Sequence, residues 1–143
     1  MKRMNILVVL LGLITLSLVA CGTSSGTLED KTWLLESYGE PGNLQDVLED
    51  TEISVVFDSA EGQVAGSAGC NRYFGSYEVK GNKLSGLEPL GSTMMYCTES
   101  IMEQETQYLK ALQAAESYQI KDGQLIIDYG QKVLVFRSEL EAD

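Results

Sequence analysis

Three cysteines and no histidine bound the chemistry open to this chain. Cys21 follows Leu18-Val19-Ala20, behind a basic start (Met1-Lys2-Arg3) and an apolar run from Ile6 to Val19. That run is shorter than the ~20 residues a membrane-spanning helix needs, so a plain membrane anchor or a buried strand fits it less well than a signal peptide. The order of basic start, apolar core, small residues and cysteine is that of a lipoprotein signal, with the Cys21 thiol as the group to be acylated. Residues 1–20 are then the leader. Two or three acyl chains, at ~0.8 kcal/mol per buried methylene, make a durable anchor.

Cys70 and Cys97 remain for other work. An export signal places them where disulfides persist. A bridge between them would contribute about 3–4 kcal/mol by loop closure. Two buried thiols are the alternative. Redox catalysis is a remote third, because no Cys-x-x-Cys is present. Without histidine, Ser-His-Asp and Cys-His catalysis are excluded and a zinc site is improbable. Met94, Met95 and Met102 could suggest a soft-metal site but read as core filling. Glu99, Glu103 and Glu105 lack the spacing of a calcium loop and read as a solvated helix start. No cofactor, metal or catalytic residue is expected.

A third constellation, Asn71-Arg72-Tyr73, follows Gly66-Ser67-Ala68-Gly69-Cys70. The glycines permit a tight bend, and Asn71 tolerates the left-handed region, so turn architecture explains these residues. An exposed recognition loop explains them too, with Arg72 and Tyr73 at the rim of a sheet. Arg72, a cation in an acidic domain, is expected to pair with a local carboxylate.

The formal charge is −11, and removal of Lys2 and Arg3, the only charged residues before Cys21, takes it to −13. Such a domain repels phosphate backbones, so nucleic-acid binding is not expected. Residues 21–29, small and polar, read as a lipidated flexible tether. Residues 30–138 suit one domain.

Short strand-like runs must position these residues. They span 32–38, 53–57, 63–67, 74–79, 83–87, 118–121, 125–128 and 133–136. Ile53, Val55 and Phe57 fall on one face and Ser54 on the other, as in a half-buried strand. Lys80-Gly81-Asn82 and Asp122-Gly123 mark hairpin turns. The last run, apolar on both faces, should be central or covered. From Ser100 to Ala115 the apolar stripe Ile101, Met102, Tyr108, Leu109, Leu112 and Ala115 recurs at helical spacing, and Ser100 with Glu103 offers a capping box. One helix covering an antiparallel sheet gives an α+β domain.

Three segments occur in a distinctive order: Gly66-Ser67-Ala68-Gly69-Cys70-Asn71, then the hairpin around Gly75-Ser76-Tyr77 and Gly81-Asn82, then Thr93-Met94-Met95-Tyr96-Cys97 before the helix. With the opening Thr32-Trp33-Leu34-Leu35, they resemble the META domain family of HslJ-like lipoproteins over Leu28 to Arg137. Tyr96 stands where relatives often carry a small residue or methionine. The resemblance implies a strongly curved antiparallel sheet, an incomplete barrel of about seven or eight short strands, packed against one α-helix. It also implies an envelope role linked to stress or drug tolerance, with no enzymatic activity. The expected protein is therefore a non-enzymatic lipoprotein held by its lipid anchor on the cell membrane or outer membrane, with its domain outside the cytoplasm. It would bind or stabilise an envelope protein. The alternative is a carrier of an apolar ligand or acyl chain in an open barrel cleft.

Overall fold

The computed structural model describes residues 26–141. The leader and Cys21 lie outside the described residues. Eleven strands and one α-helix follow in chain order: β1 (Thr32–Glu40), β2 (Asn43–Asp46), β3 (Ser54–Asp58), β4 (Gln63–Ser67), β5 (Arg72–Ser76), β6 (Glu78–Lys80), β7 (Lys83–Ser85), β8 (Gly91–Ser92), α1 (Glu99–Gln113), β9 (Ser117–Lys121), β10 (Gln124–Tyr129) and β11 (Lys132–Ser138). The pairs are antiparallel.

The order across the sheet, β6-β7-β9-β10-β11-β1-β3-β4-β5-β8, forces its shape. Strands β5 and β6 are consecutive in the chain, with only Tyr77 between them, yet lie near opposite ends of the sheet. Laid flat, the steps between them at ~4.8 Å each would set them about 38 Å apart. The chain from Ser76 to Glu78 reaches at most about 7 Å. The sheet must therefore curl strongly on itself, and it forms a half-barrel.

The strand count exceeds the expected seven or eight for three reasons. The run 74–79 is two strands, β2 has no apolar alternation, and β8 is two residues long. The turns match expectation: Asp122 and Gly123 both take positive φ (51° and 80°), and Gly81 (64°) opens the β6–β7 turn. Strand β11 is central, paired with both β10 and β1.

Inward side chains of alternating positions fill the core: Trp33, Val55, Phe57, Val64, Leu125, Ile127, Leu134 and Phe136 are fully buried. From α1, Tyr108, Ala111 and Leu112 join them. The helix departs from expectation at its start. Its N-cap is Thr98, without a side-chain bond, so the Ser100–Glu103 capping box does not form. Ile101 and Met102 are only half-buried, and Gln104 and Glu105 take the inward face instead. No described helix is long and apolar enough to cross a membrane.

The tether is shorter than expected. Leu28 is buried in the core and its carbonyl accepts the Trp33 indole N–H at 2.8 Å. Tyr77 donates its hydroxyl to the Glu29 carboxylate. Residues 28 and 29 therefore belong to the domain.

Candidate functional site

The Gly-x-x-x-Cys-Asn segment ends β4 with a tight turn. The Ala68 N–H donates to the Asn71 carbonyl at 2.8 Å. Gly69 sits at φ 105°, where a side chain would strain the backbone. Glycine at 66 answers a different need, since a Cβ there would lie 2.0 Å from the Ser54 carbonyl oxygen. That close approach lets the Tyr73 hydroxyl donate to the same oxygen at 2.9 Å.

The turn presents its N–H groups to one carboxylate. Glu105 Oε2 accepts the Asn71 N–H at 2.6 Å and the Cys70 N–H at 3.3 Å, while Oε1 accepts Asn71 Nδ2 at 2.8 Å. Asn71 is saturated. Its Nδ2 donates also to the Met95 carbonyl at 3.3 Å, and its Oδ1 accepts from Met95 N–H (2.6 Å) and Thr93 Oγ1 (2.9 Å). All four bonding positions of the amide are used. Aspartate could not replace it, because it has no donor for Glu105 or the Met95 carbonyl. Glu105 is buried, and among the described residues no cation pairs with it; its oxygens are met by N–H donors.

Cys70 and Cys97 are joined as a disulfide, with Cα atoms 6.1 Å apart. The buried-thiol reading falls away. The segment Thr93–Cys97 is thus fixed by the disulfide, by Asn71, and by the Thr93 N–H bond to the Arg72 carbonyl at 3.0 Å. The three side chains between Thr93 and Cys97 point away from this frame. Met94, Met95 and Tyr96 are 97%, 58% and 92% exposed. Phe74, on the neighbouring strand β5, is 61% exposed.

Several expectations are therefore corrected. Asn71 and Tyr73 are not a recognition loop: both are buried. Tyr73 shares a 2.7 Å hydrogen bond with Tyr108, their rings packed edge to face. Arg72 is exposed and makes no ion pair among the described residues. Asn71 does not take positive φ. Met94 and Met95 do not fill the core, and Glu105 is not solvated. Glu105 and Gln104 were the residues sequence reasoning missed as functional parts. Gln104 accepts the Leu48 N–H at 2.8 Å and donates to Thr51 Oγ1 at 3.0 Å, tying the 48–51 loop to the helix. A signal existed, since positions 104 and 105 precede Tyr108 by one helical turn and so share its inward face.

Burial pushes the Tyr73 phenol well up, aided by its neighbour Tyr108. Burial also raises Tyr108, against a lowering contribution from the Tyr73 hydrogen bond. Both are held neutral and act as bonding groups. A separate cleft of about 600 Å³ lies beside the second half of α1, with Tyr38, Gln107, Lys110, Tyr129 and Lys132 in its walls.

The model of the META domain matches residues 26–140. The chain belongs to the META domain family. Among solved structures, this META domain is similar to a protein from Burkholderia xenovorans determined by NMR, at 27% identity and TM-score 0.67, over 78% of this chain and 83% of that one. A second NMR structure matches at 18% identity and TM-score 0.58, over 77% of this chain and 90% of that one. A DUF4847 family protein from Bacteroides vulgatus matches at 16% identity and TM-score 0.55, over 77% of this chain and 93% of that one. The last two show the fold alone. No curated protein matches.

Proposed function

We propose that this META-domain protein is a lipid-anchored, non-enzymatic envelope protein that docks another envelope protein through Met94, Met95 and Tyr96. One observation carries the reading. Three consecutive apolar side chains are held outward by a disulfide and by a fully bonded Asn71. Exposed apolar clusters on a rigid frame favour association, because little conformational entropy is lost when they are covered. Methionine and tyrosine are among the residues enriched at interfaces. The Cys21 pattern supports the anchor, and an anchored domain meets its partner at a membrane surface.

The non-catalytic reading has its own support. Glu105 is the single buried carboxylate among the described residues, and its oxygens are committed to Cys70 and Asn71. A carrier of an acyl chain would need an apolar tunnel. The core side chains are sealed, and the cleft beside α1 carries charged or amide side chains at six of its ten lining residues, so the carrier reading gains nothing from the geometry.

The test is size analysis of the native protein extracted in mild detergent. Wild type should migrate in a discrete complex. The triple variant M94S/M95S/Y96S should keep its melting temperature and run as the free protein. An unchanged complex in that variant would sink the proposal.

A further inference from the structure

The 600 Å³ cleft is built from parts of the fold that the motif residues do not touch. Strand β1 shifts register between Leu35 and Ser37, so its first half pairs with β3 and its second with β2. The β1–β2 hairpin, the end of β10 and the second half of α1 thereby face one another. About 600 Å³ falls within the range of small-molecule sites.

Its chemistry is unspent. Tyr38 from β1 and Tyr129 from β10 are half-buried, and neither hydroxyl has a hydrogen-bond partner among the described residues. Both rings line the cleft, and burial raises both phenols, aided by Glu103 at Tyr38 and by Tyr38 at Tyr129. The side-chain amides of Asn43 and Gln45 are likewise unpartnered among the described residues, and Gln107 makes only a 3.4 Å contact to Glu103. Lys110 and Lys132 bring two ammonium groups to the walls, against Glu40 in the lining and Glu103 beside Tyr38 and Gln107. In a chain of net charge −11 this is a local concentration of cations.

Each class of ligand meets this wall differently. An apolar ligand would strip water from three amides and two lysines without replacing their bonds. A peptide would need apolar side-chain pockets, and the lining has only Ala111 and Gly39 beside the tyrosine rings. A polyphosphate would need more positive charge than two lysines opposed by Glu40 supply. A sugar ring matches it: its C–H face covers a tyrosine ring, its hydroxyls both donate and accept as amides and phenols do, and a carboxylate substituent meets a lysine.

We propose that the cleft formed by the β1–β2 hairpin, Tyr129 and the second half of α1 binds a short saccharide bearing a carboxylate. Tyr38 and Tyr129 supply a stacking surface and hydrogen bonds. Asn43, Gln45 and Gln107 read the hydroxyls, and Lys110 and Lys132 select the acidic group. The site stands apart from Met94–Tyr96, which lie before the opposite end of α1, so the two proposals fail independently.

Isothermal titration of the full-length protein, in a zwitterionic detergent free of sugar, tests it. The probes are N-acetylglucosaminyl-N-acetylmuramic acid, digalacturonate, neutral diacetylchitobiose and dialanine. Saturable binding of either acidic disaccharide, in preference to the neutral one, is the expected result; which of the two binds tighter separates a wall glycan from a uronate polymer. Tyr38→Phe and Tyr129→Phe should each weaken it about three- to tenfold. The exposed double variant K110Q/K132Q should weaken it about fivefold without shifting the melting temperature. The proposal is overturned by no saturation below about 10 mM, a weak limit for a specific site. Equal binding of the neutral disaccharide, preference for dialanine, or undiminished binding by K110Q/K132Q would overturn it as well.

Discussion

Removing the Glu105 carboxylate should loosen the whole Gly66–Cys97 frame, and the cost can be worked from its bonds. Glu105→Ala leaves the Asn71 N–H and Asn71 Nδ2 without their acceptor, from distances of 2.6 and 2.8 Å; the Cys70 contact at 3.3 Å is weaker. Each stranded buried donor costs about 1–3 kcal/mol. Relief from holding a buried charge offsets part of the sum. The expected loss is about 3–5 kcal/mol, a large share of the ~5–15 kcal/mol that holds a typical domain together. Glu105→Gln separates bonding from volume. Both carboxylate oxygens accept, and an amide has only one acceptor oxygen, so this near-isostere should lose roughly half as much. Urea unfolding followed by fluorescence of Trp33, which is fully buried, is the assay. A double-mutant cycle of Asn71→Ala with Glu105→Ala should give a coupling of about 1–3 kcal/mol. A loss under about 1 kcal/mol for Glu105→Ala, or a coupling near zero, would refute the reasoning, since surface substitutions cost about that little.

Three further outcomes follow from the same structure. Replacing both Cys70 and Cys97 with serine should cost about 3.5 kcal/mol by loop closure, read by the same urea titration with wild type under oxidising conditions. Gly66→Ala should sharply reduce the yield of folded protein, because its Cβ would meet the Ser54 carbonyl at 2.0 Å, while alanine at Gly130, where nothing lies within 4 Å and the left-handed φ of 63° costs about 1–2 kcal/mol, should do so less. Stability should hold below about pH 10 and then fall by about 1.4 kcal/mol per pH unit for each phenol that stays protonated only when folded. The sign follows from Tyr73 and Tyr108, whose raised folded values keep their protons while the unfolded chain loses its own. Denaturant titrations from pH 9 to 12 on wild type and Tyr108→Phe, with phenolate absorbance as a second readout, check both slope and origin.

Much of the fold was legible because period-two alternation survives in the paired strands. Ile53, Val55 and Phe57 announce one face of the β3 segment, and Asp122-Gly123 announces the β9–β10 turn. The same signal hid the break between β5 and β6. Tyr73, Tyr77 and Val79 keep alternating through Tyr77, so nothing in the pattern says that the chain leaves one end of a curled sheet and joins the other. Strand β2 was silent because all four of its residues are exposed. The site was harder to read, because residue type misleads where a particular partner decides burial. Asn71 and Glu105 look like surface residues, and only their mutual bonds place them inside. Met94 and Met95 look like core, yet their backbone is held by Asn71 and Thr93–Cys97 so that the side chains face outward. The pattern read as a lipoprotein signal is purely local, and Cys21 lies outside the described residues.

If the rigid frame offers Met94–Tyr96 to a protein partner at the membrane, site-specific photocrosslinking in the producing cell should capture that partner. A photoreactive residue at position 94 should give one discrete adduct, and the same probe at Glu61, an exposed turn residue, should give none. The position 94 adduct should vanish when Cys97 is replaced by serine. No adduct at position 94, or one of equal yield from position 61, would contradict the account.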